Sequence, residues 1–248
     1  VKVRELQKKL KKTYCSEDKT NMISNERLTS IFFSYPDIYE KANRLKELFP
    51  KAKIIFVIRN QLDVIKSQYR DHPFDPNDLT HGKPVSIEEW IDLDLEKEKY
   101  SYIKTLDYNK IINYYETLFG KENIGVFLFE DLVKDLNFFT NEISDFLKID
   151  KKTSIQLIRN KTENTGVSSQ YNKIRQLKRK MIPGIEIKKF IPSLLVKFLI
   201  NIIKTGKKHT IKIEENHYNK INNLFKSSNS TLQKKYDLNL YKYNYPLD

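Results

Sequence analysis

Two short apolar runs along the chain predict buried strands. Ile54–Ile58 is unbroken and mostly β-branched, and residues 123–129 contain a second apolar run, Ile-Gly-Val-Phe-Leu-Phe. Such runs are typical of strands buried on both faces, as in parallel sheets. A helical spacing of apolar residues follows the first run directly. A buried strand joined to a helix by a minimal turn is typical of α/β proteins, so the pattern predicts an α/β fold.

Several other segments repeat apolar residues at the spacing of a helix face. Ser86 and Glu89 form a capping box at the start of one such segment. Gly120 is suited to end another, and Pro50 ends a third just before the first strand. We predict helices within residues 1–12, 35–49, 86–90, 107–120, 137–147 and 217–232, and a short strand at residues 21–24.

The residues after the first strand combine a cation with a hydroxyl. Arg59 follows Ile58, Asn60 is a good helix N-cap, and Ser67 lies two turns into the predicted helix on the same side as Asp63. Open α/β sheets bind ligands at the carboxyl ends of their strands, and a guanidinium with a hydroxyl suits a phosphate. The alternative is structural: Arg59 pairs with Asp63, and Ser67 is solvated.

This segment resembles the 3'-phosphate-binding motif of sulfotransferases, Arg-Asn-Pro-x-Asp-x-x-x-Ser-x-Tyr. Gln61 replaces the family's proline, a tolerable change because proline at the first helical position only pre-sets φ. The resemblance implies a three-layer, P-loop NTPase-like fold with a central parallel sheet and a helical C-terminal half. It also implies 3'-phosphoadenosine 5'-phosphosulfate (PAPS) as cofactor, with Arg59 and Ser67 holding its 3'-phosphate. The matching residues are Arg59, Asn60, Asp63, Ser67 and Tyr69.

The resemblance suggests further site residues. Some members use a Glu or His shortly after the preceding strand as general base, which makes Glu26 a candidate; the alternative is a helix-start residue in a Ser-Asn-Glu cap. A basic, glycine-containing loop late in the family's chain closes over the 3'-phosphate. Lys161 and Gly166 match it loosely, and an ordinary loop is the alternative. Glu130, after the second strand, fits the family's (Tyr/Phe)-Glu-Asp-Leu pattern and is predicted to be structural.

Charge and composition limit the classes of ligand that the protein is expected to bind. The net charge of +13 favours anionic ligands, but the basic residues are scattered and no nucleic-acid motif is visible, so no nucleic acid is expected. One cysteine excludes an intrachain disulfide, and the four histidines lack ligand spacing, so we expect no metal. Ile187–Ile203 is apolar yet too short and interrupted to span a membrane. It predicts a packed helix, with an interfacial membrane helix as the alternative.

The family also has an N-terminal glycine-rich loop that cradles the 5'-phosphosulfate, and none of the six glycines lies near Val1. We therefore expect residues 1–248 to be a single sulfotransferase-like domain that is N-terminally truncated. With no signal peptide visible, a cytoplasmic location is expected, peripheral to a membrane in the alternative. The sequence predicts sulfuryl transfer to a hydroxyl or amine acceptor on a glycan, lipid or small molecule. The alternatives are a nucleotide kinase relative, which lacks its Gly-x-x-x-x-Gly-Lys loop, and a non-catalytic basic module that binds acidic glycans or anionic lipid.

Overall fold

The computed structural model describes residues 38–73, 85–97, 101–159 and 211–248, together with residues 4, 5, 7–10, 16, 20–24 and 28. The chain divides into two compact units. Unit 1 contains Val1–Gln61, Glu98–Lys161 and Ile221–Asp248, and unit 2 contains Leu62–Lys97 and Thr162–Lys220. The single domain expected over residues 1–248 stays a prediction.

The predicted helices and the two buried strands occur in the expected order, and two further helices, at residues 129–134 and 151–159, were not predicted. The described helices and strands are α1 (Ile38–Leu48), β1 (Ile54–Ile58), α2 (Gln61–Asp71), α3 (Ile87–Leu95), α4 (Tyr108–Phe119), β2 (Ile124–Leu128), α5 (Phe129–Lys134), α6 (Leu136–Leu147), α7 (Lys151–Arg159) and α8 (Glu215–Tyr236). Short 3-10 turns occupy Ile103–Leu106, Lys121–Asn123 and Tyr241–Tyr243. Residues 4, 5 and 7–10 are also helical.

The strand predicted at residues 21–24 is wrong. These residues have no regular secondary structure. Met22 and Ile23 are 68% and 62% exposed. A strand needs a partner for its backbone groups and a core for its apolar side chains, and these side chains lie in solvent instead.

The two strands pair in parallel along their whole length in unit 1. Ile54 lies opposite Ile124, and Ile58 lies opposite Leu128, so both strands end at the same edge of the sheet. The residue that follows each strand, Arg59 or Phe129, is therefore placed at that edge. The predicted α/β class with a parallel sheet is confirmed for the described elements.

Helix α4 covers one face of this sheet. Asp107 caps its start by accepting a hydrogen bond from the Lys110 N–H, and Gly120 ends it with φ of 85°. Its apolar residues pack into the unit 1 core together with alternate residues of both strands. The core residues of α4, β1 and β2 are Ile111, Ile112, Tyr115, Phe119, Phe56, Ile58, Ile124, Val126 and Leu128.

Helix α6 covers the opposite face at β2. The Phe127 ring lies 6.1 Å from the Phe139 ring and 6.0 Å from the Phe146 ring, in edge-to-face geometry. Gly125 makes this close approach possible, since a Cβ atom there would lie 2.9 Å from a ring carbon of Phe146. Helices thus pack on both faces of the described sheet.

Unit 2 has its own buried aromatic residue. Ser86 caps α3 by accepting a hydrogen bond from the Glu89 N–H at 3.1 Å, as predicted. Trp90 in α3 is 1% exposed and is therefore a core residue. The Tyr69 ring lies 6.4 Å from it, and the Tyr69 hydroxyl donates to the Val85 carbonyl at 2.7 Å. None of the described helices is long and apolar enough to cross a membrane, and Ile187–Ile203 lies outside the described residues.

Candidate functional site

Arg59 is held at the carboxyl end of β1 by two aromatic side chains. The Tyr108 hydroxyl donates to the Arg59 carbonyl at 2.7 Å, which fixes the main chain. The guanidinium carbon lies 4.9 Å from the centre of the Phe129 ring, in a cation–π contact. Burial raises the pKa of Tyr108 above its ordinary value, so this hydroxyl stays protonated and keeps donating.

The Phe129 contact leaves the hydrogen-bonding capacity of Arg59 unused. A guanidinium has five N–H donors, and a cation–π contact consumes none of them. Among the described residues of unit 1, none of the ion pairs involves Arg59. A fixed cation with available donors at a strand end is the arrangement that recognises a phosphate oxygen.

Asn60 fastens the turn after β1 to two distant parts of unit 1. Its main-chain N–H donates to a carboxylate oxygen of Glu130 at 2.8 Å. Its side-chain amide donates to the carbonyls of Tyr243 at 3.1 Å and Asn244 at 2.8 Å. Helix α2 begins at the next residue, as the N-cap prediction requires. The turn is thus bound both to α5 and to the C-terminal tail.

Glu130 uses both carboxylate oxygens in structural contacts. One accepts from the Asn60 N–H, and the other accepts from the Tyr245 hydroxyl at 2.9 Å. Burial, followed by the Glu130 charge, raises the pKa of Tyr245, so this hydroxyl remains a donor. These contacts agree with the structural role predicted for Glu130.

Gln61 is completely buried and forms an amide pair with Asn229 of α8. The Gln61 Nε2 donates to the Asn229 Oδ1 at 2.8 Å, and the Asn229 Nδ2 donates back to the Gln61 Oε1 at 3.2 Å. Nothing in the sequence indicated this pair beyond the glutamine at position 61, where the family motif has proline. Sequence reasoning also assigned no role to Phe129 and Tyr108. Phe129 could have been found, because it occupies the aromatic position of the pattern that contains Glu130.

Of the five predicted site residues, the structure describes two. Arg59 lies at the end of β1, and Ser67 lies in α2 and is partly buried. The other three, Glu26, Lys161 and Gly166, lie outside the described residues. Within the described part of the chain, no three His, Cys, Asp or Glu residues are grouped as a metal site needs. The roles of all five residues, and the expected lack of a metal, stay predictions.

A sequence profile of the sulfotransferase family matches residues 5–153, which is more than half of the chain. The chain belongs to the sulfotransferase family. The resemblance inferred from the Arg59 segment is thereby confirmed. The matched residues of this sulfotransferase-family chain include both strands, with Arg59 and Glu130, whereas α8 and the C-terminal tail lie beyond them.

Among solved structures, the chain is similar to a sulfotransferase from Alicyclobacillus acidocaldarius. The two share 20% sequence identity with a TM-score of 0.37, and the match covers 59% of this chain and 59% of that chain. The matched region therefore spans less than two thirds of that sulfotransferase. A comparison with curated protein sequences gives no match.

Proposed function

We propose that this protein is a sulfotransferase that moves a sulfuryl group from PAPS to a hydroxyl or amine acceptor on a glycan, lipid or small molecule. Family membership supports the reaction class. The observation that carries the cofactor assignment is Arg59, held at the carboxyl end of β1 by Tyr108 and Phe129. The proposed fold is the P-loop NTPase-like one, supported by parallel strands with helices on both faces.

The chemistry of the donors fits a phosphate. The Arg59 guanidinium carries a permanent charge and a planar set of N–H donors, which match the oxygens of a phosphate monoester. Ser67 in α2 supplies a hydroxyl, and its role is inferred from its position in the sequence motif. In our proposal these two residues hold the 3'-phosphate, and the loop with Lys161 and Gly166 closes over it.

Bound PAPS supplies the sulfuryl group that the acceptor receives. The chain's own contribution is to orient the donor through Arg59 and Ser67 and to remove a proton from the acceptor oxygen or nitrogen. Glu26 is the proposed base that takes this proton. Such a site accelerates the reaction mainly by orienting PAPS and the acceptor for in-line transfer.

Arg59→Ala tests the proposal directly. We expect the affinity for adenosine 3',5'-bisphosphate, measured by isothermal titration calorimetry, to fall by about 1.5–3 kcal/mol, the value of a charge-assisted hydrogen bond. Arg44→Ala is the matched control, because it removes the same charge from an exposed pair with Glu40 in the same unit. Equal affinities in the two variants would contradict the assignment of Arg59.

A further inference from the structure

The side-chain amides of Gln61 and Asn229 are buried, and all of their N–H groups donate hydrogen bonds. Gln61 is 0% exposed and Asn229 is 1% exposed. Besides the two hydrogen bonds between them, the Gln61 Nε2 donates to the Leu106 carbonyl at 3.4 Å, and the Asn229 Nδ2 donates to the Pro246 carbonyl at 3.0 Å. Each amide nitrogen therefore uses both of its hydrogens.

Asn229 connects the turn after β1 to the C-terminal tail. It holds Gln61 on one side and the Pro246 carbonyl on the other. The same tail supplies the Tyr243 and Asn244 carbonyls that bind the Asn60 side chain. The turn and the tail thus fix each other, and the turn begins at Arg59.

The pair occupies the position where the family pattern has a proline. Proline at the first helical position sets φ without any partner, because its ring closes on the backbone. Glutamine has no such restriction on φ, so contacts of its buried side chain add to the hydrogen bonds of Asn60 in holding the backbone at this position. Asn229 and the tail lie beyond the residues that the family profile matches.

We propose that Gln61 and Asn229 are positioning residues for Arg59, and that their amide pair replaces the backbone constraint that proline supplies in the family motif. The proposal rests on the proposed function, since it concerns how the phosphate-binding arginine is held. Pre-organisation of this kind raises affinity because the ligand no longer has to order the turn. A purely structural pair would contribute to folding stability alone.

Two substitutions at one residue separate these roles. Gln61→Met keeps the length of the side chain but removes the amide and leaves φ unrestricted. Gln61→Pro removes the same amide and restores the restriction on φ. Both leave Asn229 without its partner, so both lower the melting temperature. Tyr236→Phe serves as a stability control. Tyr236 lies in α8, seven residues after Asn229, and the substitution removes its 2.6 Å hydrogen bond to Glu116 of α4.

We expect Gln61→Met to bind adenosine 3',5'-bisphosphate about five- to tenfold more weakly than the unmodified protein, as loss of pre-organisation predicts. Gln61→Pro and Tyr236→Phe should stay within about twofold, although both are less stable than the unmodified protein. The proposal is overturned if Gln61→Met binds as tightly as the unmodified protein, or if Gln61→Pro loses as much affinity as Gln61→Met. Should Gln61→Met not fold, Gln61→Met/Asn229→Leu replaces both amides by apolar groups of similar size and carries the same expectation.

Hydrogen exchange separates this proposal from the proposed function. The Asn60 amide N–H, bonded to Glu130, reports the order of the turn without any ligand. Relative to the amides of the β1 and β2 core, which report global unfolding, its exchange should accelerate in Gln61→Met and remain unchanged in Gln61→Pro. If the unmodified protein does not bind adenosine 3',5'-bisphosphate, the proposed function fails. Exchange at Asn60 then still decides whether the amide pair orders the turn, and equal exchange in both variants overturns it.

Discussion

Removal of the Glu130 carboxylate should destabilise unit 1 by more than is usual for a partly buried residue. Glu130→Ala removes the carboxylate that accepts hydrogen bonds from two buried donors, the Asn60 N–H and the Tyr245 hydroxyl. Asn60 is 5% exposed and Tyr245 is 4% exposed, so bulk water does not reach these donors in the intact fold. Buried donors that lose their acceptors retain the cost of their desolvation.

The size of the effect follows from these two hydrogen bonds. A bond to a charged group contributes about 1.5–3 kcal/mol, which would give about 3–6 kcal/mol for the pair. Glu130 itself is partly exposed, and water can enter the space that it vacates. We therefore expect Glu130→Ala to lower the free energy of unfolding by about 2–4 kcal/mol. Tyr245→Phe removes one of the two bonds and should cost about 1–2 kcal/mol.

A double-mutant cycle in urea, followed by far-ultraviolet circular dichroism, measures both quantities. Because Tyr245→Phe removes one of the stranded donors, the double variant should be about 1 kcal/mol more stable than the sum of the single effects predicts. Glu142→Ala is the control, since Glu142 is an exposed glutamate in the same unit and its loss should change stability by no more than about 0.5 kcal/mol. The reasoning is refuted if Glu130→Ala resembles Glu142→Ala, or if the two substitutions of the cycle are additive.

Two further predictions concern other parts of the chain. Gly125→Ala should lower the midpoint of urea unfolding and cost about 1–3 kcal/mol, because the new Cβ would lie 2.9 Å from the Phe146 ring; an unchanged midpoint would contradict this packing. In unit 2, hydrogen bonds from His217 and Lys220 lower the pKa of Asp92 below its ordinary value. The charged Asp92 carboxylate therefore contributes its full stabilisation above the pKa of the unfolded state, and this stabilisation is lost as the pH falls through the pKa of the folded state. Between pH 6 and pH 3, the free energy of unfolding should fall less in Asp92→Asn than in the unmodified protein. Parallel pH profiles in urea unfolding would show that Asp92 makes no such contribution.

Local signals in the sequence were enough to predict the elements that form the candidate site. The β-branched run at Ile54–Ile58 has few alternatives to a buried strand, and Asn60 gives the helix start that follows. Asp107 and Gly120 likewise bound α4, because an N-cap and a left-handed glycine act within one turn of the chain. The family, too, could be inferred from one segment, since the spacing from Arg59 to Tyr69 combines a strand end with a helix face.

The prediction of a strand at residues 21–24 failed, because a strand also needs a neighbouring strand and a core elsewhere in the chain. Residues 21–24 have the composition of a short strand, yet no core receives their side chains. Composition describes what a segment can form, whereas its burial depends on residues elsewhere in the chain.

The sequence by itself determined the two buried strands, most of the helices around them, the α/β class and the position of Arg59 after a buried strand. These properties depend on residues within a few positions of one another, where periodicity and capping act. Only the tertiary structure decided what holds Arg59 and its turn. Gln61 and Asn229 are 168 residues apart, and Asn60 meets the tail across more than 180 residues. No local pattern encodes which buried amide meets which carbonyl, because that pairing is fixed only when the helices and the sheet have packed together.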